Sequence, residues 1–484
     1  MKSADGSSAG GRISAARLCL TVLTMLDRNA WCLFLVLWFV PLVARAQSGA
    51  AAPDAAQQDA AAPPVMRLSL KDAVAMALAP EGNARVQLAE ELIRQARARS
   101  DESRAALLPN ISAAVSDQNM TRNLEAFGIG ISQPIPGFTF PTLVGPFEVL
   151  DARATASQTV LNLGSVRRYQ AARAGIRQAE AEKESAQDDV RAQVARAYLA
   201  AVRAEAELQA TQADVALAEA LLKLAGSQKA AGTGTGIEIT RASVQLANQR
   251  LRLLVAQNAR TSAQLQLLRV MHVSMSARLE LTDPLGFAPA PPRTVQQALH
   301  EAFEVRADWQ AQQKRLETAR LLQSAARMER LPSVNLFADY GAIGPGIDAA
   351  QATRTYGIAV QIPIFDGGRV DARRAQSASQ YRQEVIRTED LRAQIELEIR
   401  LALESLQSSA EQVKTAEEGL ALAENELTQA ERRYRAGASP GLEVTDAQTR
   451  LERARVNRIT ALFGDNIARI NLAAAMGTIR ELFQ

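Results

Sequence analysis

The chain has 484 residues, of which 47% are hydrophobic, 22% charged and only 4% aromatic, with a formal net charge of +3. The length suggests several globular domains, but so few aromatics among abundant Ala, Gln, Glu and Arg fit long helices better than a series of compact cores. Residues 1–46 carry five Lys/Arg and two Asp/Glu, so the remainder balances at 55 − 5 = 50 against 52 − 2 = 50, and no basic excess points to nucleic acid.

Residues 1–28 are polar and mildly basic, residues 30–43 form an apolar core, and Ala44-Arg45-Ala46 is a small-x-small cleavage site. Residues 1–46 therefore read as a signal peptide, too short and too early for a spanning helix. A start at Met25 would give a signal of more usual length. Cys19 and Cys32 both precede the cut, so the mature chain would have neither disulfide nor thiol chemistry. Neither follows the small-residue run that a lipoprotein signal needs. Residues 47–67, rich in Ala, Gln and Pro, read as a disordered leader.

A first structural unit is expected over residues 68–282. Ser69 can cap a helix from Leu70, and helical pattern runs to about Leu107, where Leu108-Pro109 ends it. A strand covers Asn110 to about Asp117, with Ile111, Ala113 and Val115 alternating with Ser112, Ala114 and Ser116. Asn119 to Pro146 reads as a Gly/Pro/Phe-rich loop. In the returning strand Leu150, Ala152, Ala154 and Ala156 alternate with Asp151, Arg153, Thr155 and Ser157. Asn162-Leu163-Gly164 turns the chain into a helix over Val166–Ala230. A turn with Gly234 and Gly236 follows, and Ile239–Val273 returns. Residues 283–293, with four prolines, link the halves.

Residues 294–484 repeat the pattern with a shorter loop, Gly341–Thr353. Val334, Leu336, Ala338 and Tyr340 alternate with Ser333, Asn335 and Asp339, and Tyr356, Ile358, Val360 and Ile362 with Gly357, Ala359 and Gln361. Asp366-Gly367-Gly368 permits positive φ and a hard change of direction. Val370–Ala436 has no proline, and its apolar stripe runs Leu391, Ile395, Ile399, Ala402, Leu406, Ala410, Val413, Ala416, Leu420, Ala423, Leu427, Ala430, Tyr434. The mean step is (434 − 391)/12, about 3.6, the period of a nearly straight helix. Gly437-Ala438-Ser439-Pro440-Gly441 stops it, and Thr445–Ala475 returns. Paired motifs stand at fixed offsets: 368 − 164 = 204, 441 − 236 = 205 and 476 − 271 = 205. An internal duplication outranks any single motif in setting the architecture.

Four strands of about ten residues, apolar on one face and polar on the other, suit a membrane β-barrel. Four cannot close one, and an open edge in lipid is not viable, so several chains must contribute. A soluble hairpin pair would share the alternation.

With Phe365-Asp366-Gly367-Gly368-Arg369 after a strand, and Tyr434-Arg435-Ala436-Gly437 leading into Leu442-Glu443-Val444-Thr445-Asp446-Ala447, the mature chain resembles the TolC family of outer-membrane efflux proteins over about Leu68–Gly477. The resemblance implies a mainly α fold with a membrane β-barrel. A homotrimer would build a twelve-stranded barrel from four strands per chain, continuous with a periplasmic α-barrel of long antiparallel helices. It implies a passive exit duct in the outer membrane, in contact with lipid and extending into the periplasm. Its partners would be a periplasmic adaptor (membrane fusion) protein and an inner-membrane RND or ABC transporter. The turns at Asn162, Gly164, Asp366, Gly367 and Gly368 would join strand to helix, and the tips at Gly234, Gly236, Gly437, Ser439, Pro440 and Gly441 would dock the adaptor. It also implies a periplasmic gate of Tyr434, Glu238, Glu443 and Asp446, with Tyr434 bonded to a carboxylate, Glu238 being the favoured one. Carboxylates in a first helical turn also offset the helix dipole by about 0.3–1 kcal/mol and need no other role. Two departures stand out: Asn162-Leu163-Gly164 lacks the usual second small residue or Trp, and Ser439 replaces a basic locking residue.

No catalytic constellation is found. The two histidines, His272 and His300, lie far apart in sequence, and no metal site, cofactor or Walker loop is expected. The competing reading is a periplasmic coiled-coil scaffold or adaptor without a pore, which would not need four amphipathic strands. Heat-modifiable trimers in outer-membrane extracts would separate the two.

Overall fold

In a computed structural model of the chain, residues 65–128, 142–289, 291 and 293–483 are described. The signal peptide and the leader as far as residue 64 lie outside them, as do residues 129–141 of the first loop. The described chain opens with β1 (Val65–Leu68), then α1 (Leu70–Leu78), α2 (Ala84–Ala105), β2 (Asn110–Asn123), β3 (Leu143–Leu161), α3 (Leu163–Ala230) and α4 (Gly236–Met271). β4 (Arg278–Leu281) precedes a second series of α5 (Val295–Val305), α6 (Ala307–Met328), β5 (Ser333–Gly344), β6 (Gln351–Gln361), α7 (Arg369–Arg435) and α8 (Gly441–Met476). Ala73, Val190, Val194 and Met271 share one buried cluster, and Ala298, Ile395, Ile399 and Met476 share another. The spacings 395 − 190 = 205 and 476 − 271 = 205 match those of the sequence motifs, and 298 − 73 = 225 pairs the opening helices, so the two series bury equivalent residues.

The 68 residues of α3 and 67 of α7 give helices of about 100 Å. Every stripe residue from Leu391 to Tyr434 is buried or half-buried. Near the strands α3 packs on α2 and α6. Further along it packs on α4 and α8, while α7 packs on α6 and then α8. None of these helices is long and apolar enough to cross a membrane.

The sheet is antiparallel, in the order β2-β3-β5-β6. Its register sets Ile111, Ala113 and Val115 against Ala156, Ala154 and Ala152, and these against Ala338, Tyr340 and Ala342, so these rows form an apolar face across β2, β3 and β5, with Arg354 of β6 beside Tyr340 and Asp117 beside Leu150. Asp151, Arg153 and Thr155 share the other face with Ser112, Ser116, Asp339 and Thr355. Phe337 also lies on that polar face. Its Cζ comes within 2.8 Å of where a Gly357 side chain would begin, so the ring covers a glycine on the neighbouring strand. The outer edges of β2 and β6 are unpaired among the described residues.

Four boundaries differ from the expectation. The leader was expected to run to 67, but Val65–Leu68 pairs in parallel with Arg278–Leu281, a partner more than two hundred residues away that local pattern does not reveal. The helix expected from Leu70 to about Leu107 breaks between Leu78 and Ala84, because Pro80 removes a donor and Asn83 starts a new helix by accepting from the Arg85 N–H at 2.9 Å. The loops expected at Asn119–Pro146 and Gly341–Thr353 are shorter. β2 and β3 pair as far as Asn123 with Leu143, shifting register opposite Pro146, which cannot donate. β5 and β6 pair as far as Ile343 with Gln351.

Candidate functional site at the helix turns

The turns α3–α4 and α7–α8 are built alike. Thr233 N–H reaches back to the Gln228 carbonyl at 3.0 Å, and Ala438 N–H to that of Arg433 at 2.9 Å. Each closes a helix end through a glycine of positive φ, Gly232 at 78° and Gly437 at 71°. Gly232 was not among the expected tip glycines, although 437 − 205 = 232 marks it. Gly234 has a different role: a Cβ there would fall 2.9 Å from the Lys229 nitrogen, so the turn closes too tightly for a side chain.

The next helices start differently. Glu238 Oε2 accepts from the Thr235 N–H at 3.0 Å, the reach-back bond of a capping box. Pro440 holds the equivalent place before α8 and has no N–H, so Glu443, the counterpart of Glu238, has nothing to reach back to. It pairs with Arg433 at 3.4 Å instead. Glu238 Oε1 then crosses between the hairpins and accepts from the N–H of Gly441, the first residue of α8, at 3.3 Å. One carboxylate thus caps its own helix and ties the second hairpin to the first.

Tyr434 lies beside this tie, 6% exposed, packed with Leu427, Val444 and Ala447. A Cβ on Gly441 would stand 3.4 Å from both its ring and Glu238 Oε1, so glycine lets the three meet. The expected hydrogen bond from the Tyr434 hydroxyl to Glu238 is not among the bonds at the described residues; one backbone N–H bonds each Glu238 oxygen instead. The two still interact by charge. The phenol is pushed above its ordinary 10 by burial and then by Glu238. The Glu238 carboxyl is held below its ordinary 4.5, chiefly by the Thr235 N–H. That contribution is present above the ordinary value and lost as pH falls through the lowered one. Asp446 is exposed, one turn from Glu443 and on the same side of α8.

Next to the apolar tip lies a buried polar layer that the sequence reading passed over. Glu452 of α8, 5% exposed, accepts from Gln245, Gln249 and Arg252 of α4, while Asp214 of α3, 7% exposed, accepts from Arg455 of α8. Gln249 Oε1 and Gln448 Nε2 are buried there without a partner. Burial raises both carboxyls above their ordinary values, against the pull of Arg252 and Arg455. The sign is opposite to that of Glu238: these groups favour the fold as pH falls, and that contribution is lost as pH rises through the raised values.

At the strand ends, Asn162 caps α3 by accepting from the Ser165 N–H at 2.9 Å, and Asp366 accepts from the Val370 N–H at 2.9 Å. Gly367 and Gly368 take φ of 69° and 82°. Gly164 does not use positive φ. It lies inside the first turn of α3, buried, where a Cβ would stand 3.2 Å from Asn162 Oδ1.

The sequence profile of the family described as outer membrane efflux protein matches residues 76–271 and 295–478. The chain is 26% identical over 397 residues to a pyoverdine export outer membrane protein, OpmQ, of Pseudomonas putida, covering 80% of this chain and 81% of that one. It is 24% identical over 398 residues to the outer membrane protein TolC of Vibrio cholerae, covering 78% and 84%. Among solved structures, the outer membrane protein VceC of Vibrio cholerae superposes with a TM-score of 0.71 at 20% identity, covering 84% of this chain and 96% of that one.

Proposed function

The chain belongs to the outer membrane efflux protein family, and from that premise we propose that it is the exit duct of a tripartite assembly, formed by three copies of itself. The observation that carries this is the unclosed sheet. Its apolar face suits lipid, and its two edge strands, β2 and β6, run in opposite directions. Copies placed side by side can therefore continue the antiparallel ladder, and three supply the twelve strands of a closed barrel without a free edge in lipid. The helical hairpins extend the lumen into the periplasm, where their turns meet an adaptor and, through it, an inner-membrane pump. Three-fold symmetry repeats each tip residue around the axis. The Glu238 tie holds the hairpins together there, and Glu443 and Asp446 make the entrance cation-preferring.

Expression of the full chain, extraction from outer membranes and insertion into planar bilayers test the proposal. Heat-modifiable trimers with a cation-preferring conductance are expected, and Glu443→Gln with Asp446→Asn should erode the preference. A monomer without conductance would overturn the proposal.

A further inference from the structure

The polar face of the sheet carries a charge cluster that neither strand explains alone. Arg153 of β3 holds Asp151 with two contacts, Nε to Oδ1 at 2.8 Å and Nη2 to Oδ2 at 2.7 Å. Its Nη1 reaches Asp339 Oδ1 on β5 at 3.4 Å. The three side chains are only 33%, 24% and 17% exposed, in the order Arg153, Asp151, Asp339. Asp339 stands opposite Thr155, diagonal to Arg153, whose direct partner is Gly341. A Cβ on Gly341 would fall 2.4 Å from that of Arg153. The strands approach too closely there for a side chain, and the glycine leaves the guanidinium a path across β5 to Asp339. Around the cluster the same face carries Ser112, Ser116, Thr155 and Thr355, none of them charged.

We propose that Asp151, Arg153 and Asp339 form a fixed charge ring inside the membrane-spanning barrel, which sets an ion preference there independently of the helix turns. The proposal rests on the exit-duct reading, which makes this face the lumen. Two carboxylates and one guanidinium leave one negative charge per chain, hence three around a trimer, and the ring favours cations. Arg153 moderates it: without the guanidinium the two carboxylates stand uncompensated. The screening length is about 30 Å at 0.01 M salt but about 3 Å at 1 M. The ring therefore reaches across a wide lumen only in dilute salt, which distinguishes it from a steric filter.

The test is the zero-current potential of the full-length trimer in planar bilayers under a KCl gradient. A background carrying Glu443→Gln and Asp446→Asn removes the exposed carboxylates of the turns. In dilute salt Arg153→Gln should shift the potential toward cations, and Asp151→Asn with Asp339→Asn should shift it toward anions. Both shifts should collapse near 1 M. The two variants change the charge in opposite directions, so a shared packing defect cannot mimic the result, and trimer recovery on gels reports assembly of each. A conducting parent whose variants keep its potential in dilute salt, or shift the same way, overturns the ring and leaves the exit duct standing. A parent that forms no conducting trimer overturns the exit duct, and the ring with it.

Discussion

Pro440 shows how one residue rewires a repeated motif. In the first hairpin Thr235 offers an N–H and Glu238 takes it. In the second, proline withdraws that donor, so Glu443 turns to Arg433 and Gly441 finds its acceptor on the other hairpin. The sequence displays the substitution plainly, since 440 − 205 = 235. It does not display the consequence, because which N–H groups compete for Glu238 depends on how two hairpins meet. For Tyr434 the structure shows the ring packed in the tip, and no bond from its hydroxyl to Glu238 is among those at the described residues. Removing each group in turn separates the two roles. Glu238→Ala frees the Thr235 and Gly441 N–H groups, each bond contributing about 1 kcal/mol, and single-channel conductance should rise as the hairpins loosen. Tyr434→Phe keeps the packing and should leave conductance near that of the parent. A rise with Tyr434→Phe and none with Glu238→Ala would restore the tyrosine as the lock.

At the scale of elements, periodicity carries most of the fold. A stripe with a 3.6-residue step marks α7 along its length, because a long helix has no other way to bury one face. Alternation marks the strands, although Asn119–Asn123 and Leu143–Pro146 were read as loop. Those ends are held by the partner strand rather than by their own pattern, with Met120 opposite Phe147 and Arg122 opposite Val144. The β1–β4 pair was illegible for the same reason in stronger form. Alternation also makes a sharp claim about the sheet. Ala154 lies on the apolar face, between Ala113 and Tyr340, and Thr155 on the polar face, between Ser112 and Asp339. With the apolar face in lipid, Ala154→Arg should cost about 2–4 kcal/mol near the bilayer midplane and lower the yield of heat-modifiable trimer. Thr155→Arg, pointing into the lumen, should be tolerated. Equal yields would mean the faces are misassigned.

At the scale of the whole molecule, length decides orientation. The strand-to-helix junctions at Asn162 and Asp366 and the turns after Ala230 and Arg435 stand at opposite ends of α3 and α7. Each of these helices is about 100 Å long. A hydrocarbon core is about 30 Å thick, so only one end of the molecule can lie in a membrane. The apolar strand face assigns it to the sheet end. On the proposed orientation the β5–β6 loop lies beyond the bilayer from the helices, outside the cell, and the helix turns lie in the periplasm. A short epitope inserted between Gly346 and Ala350 should therefore be labelled on intact cells. The same epitope at Gly232–Gly234 or Gly437–Ser439 should be labelled only after the outer membrane is permeabilised. All three sites are mostly exposed turns between regular elements, where insertions disturb the fold least. Labelling of the helix turns on intact cells, with the strand loops protected, would invert the molecule and remove the path from pump to exterior.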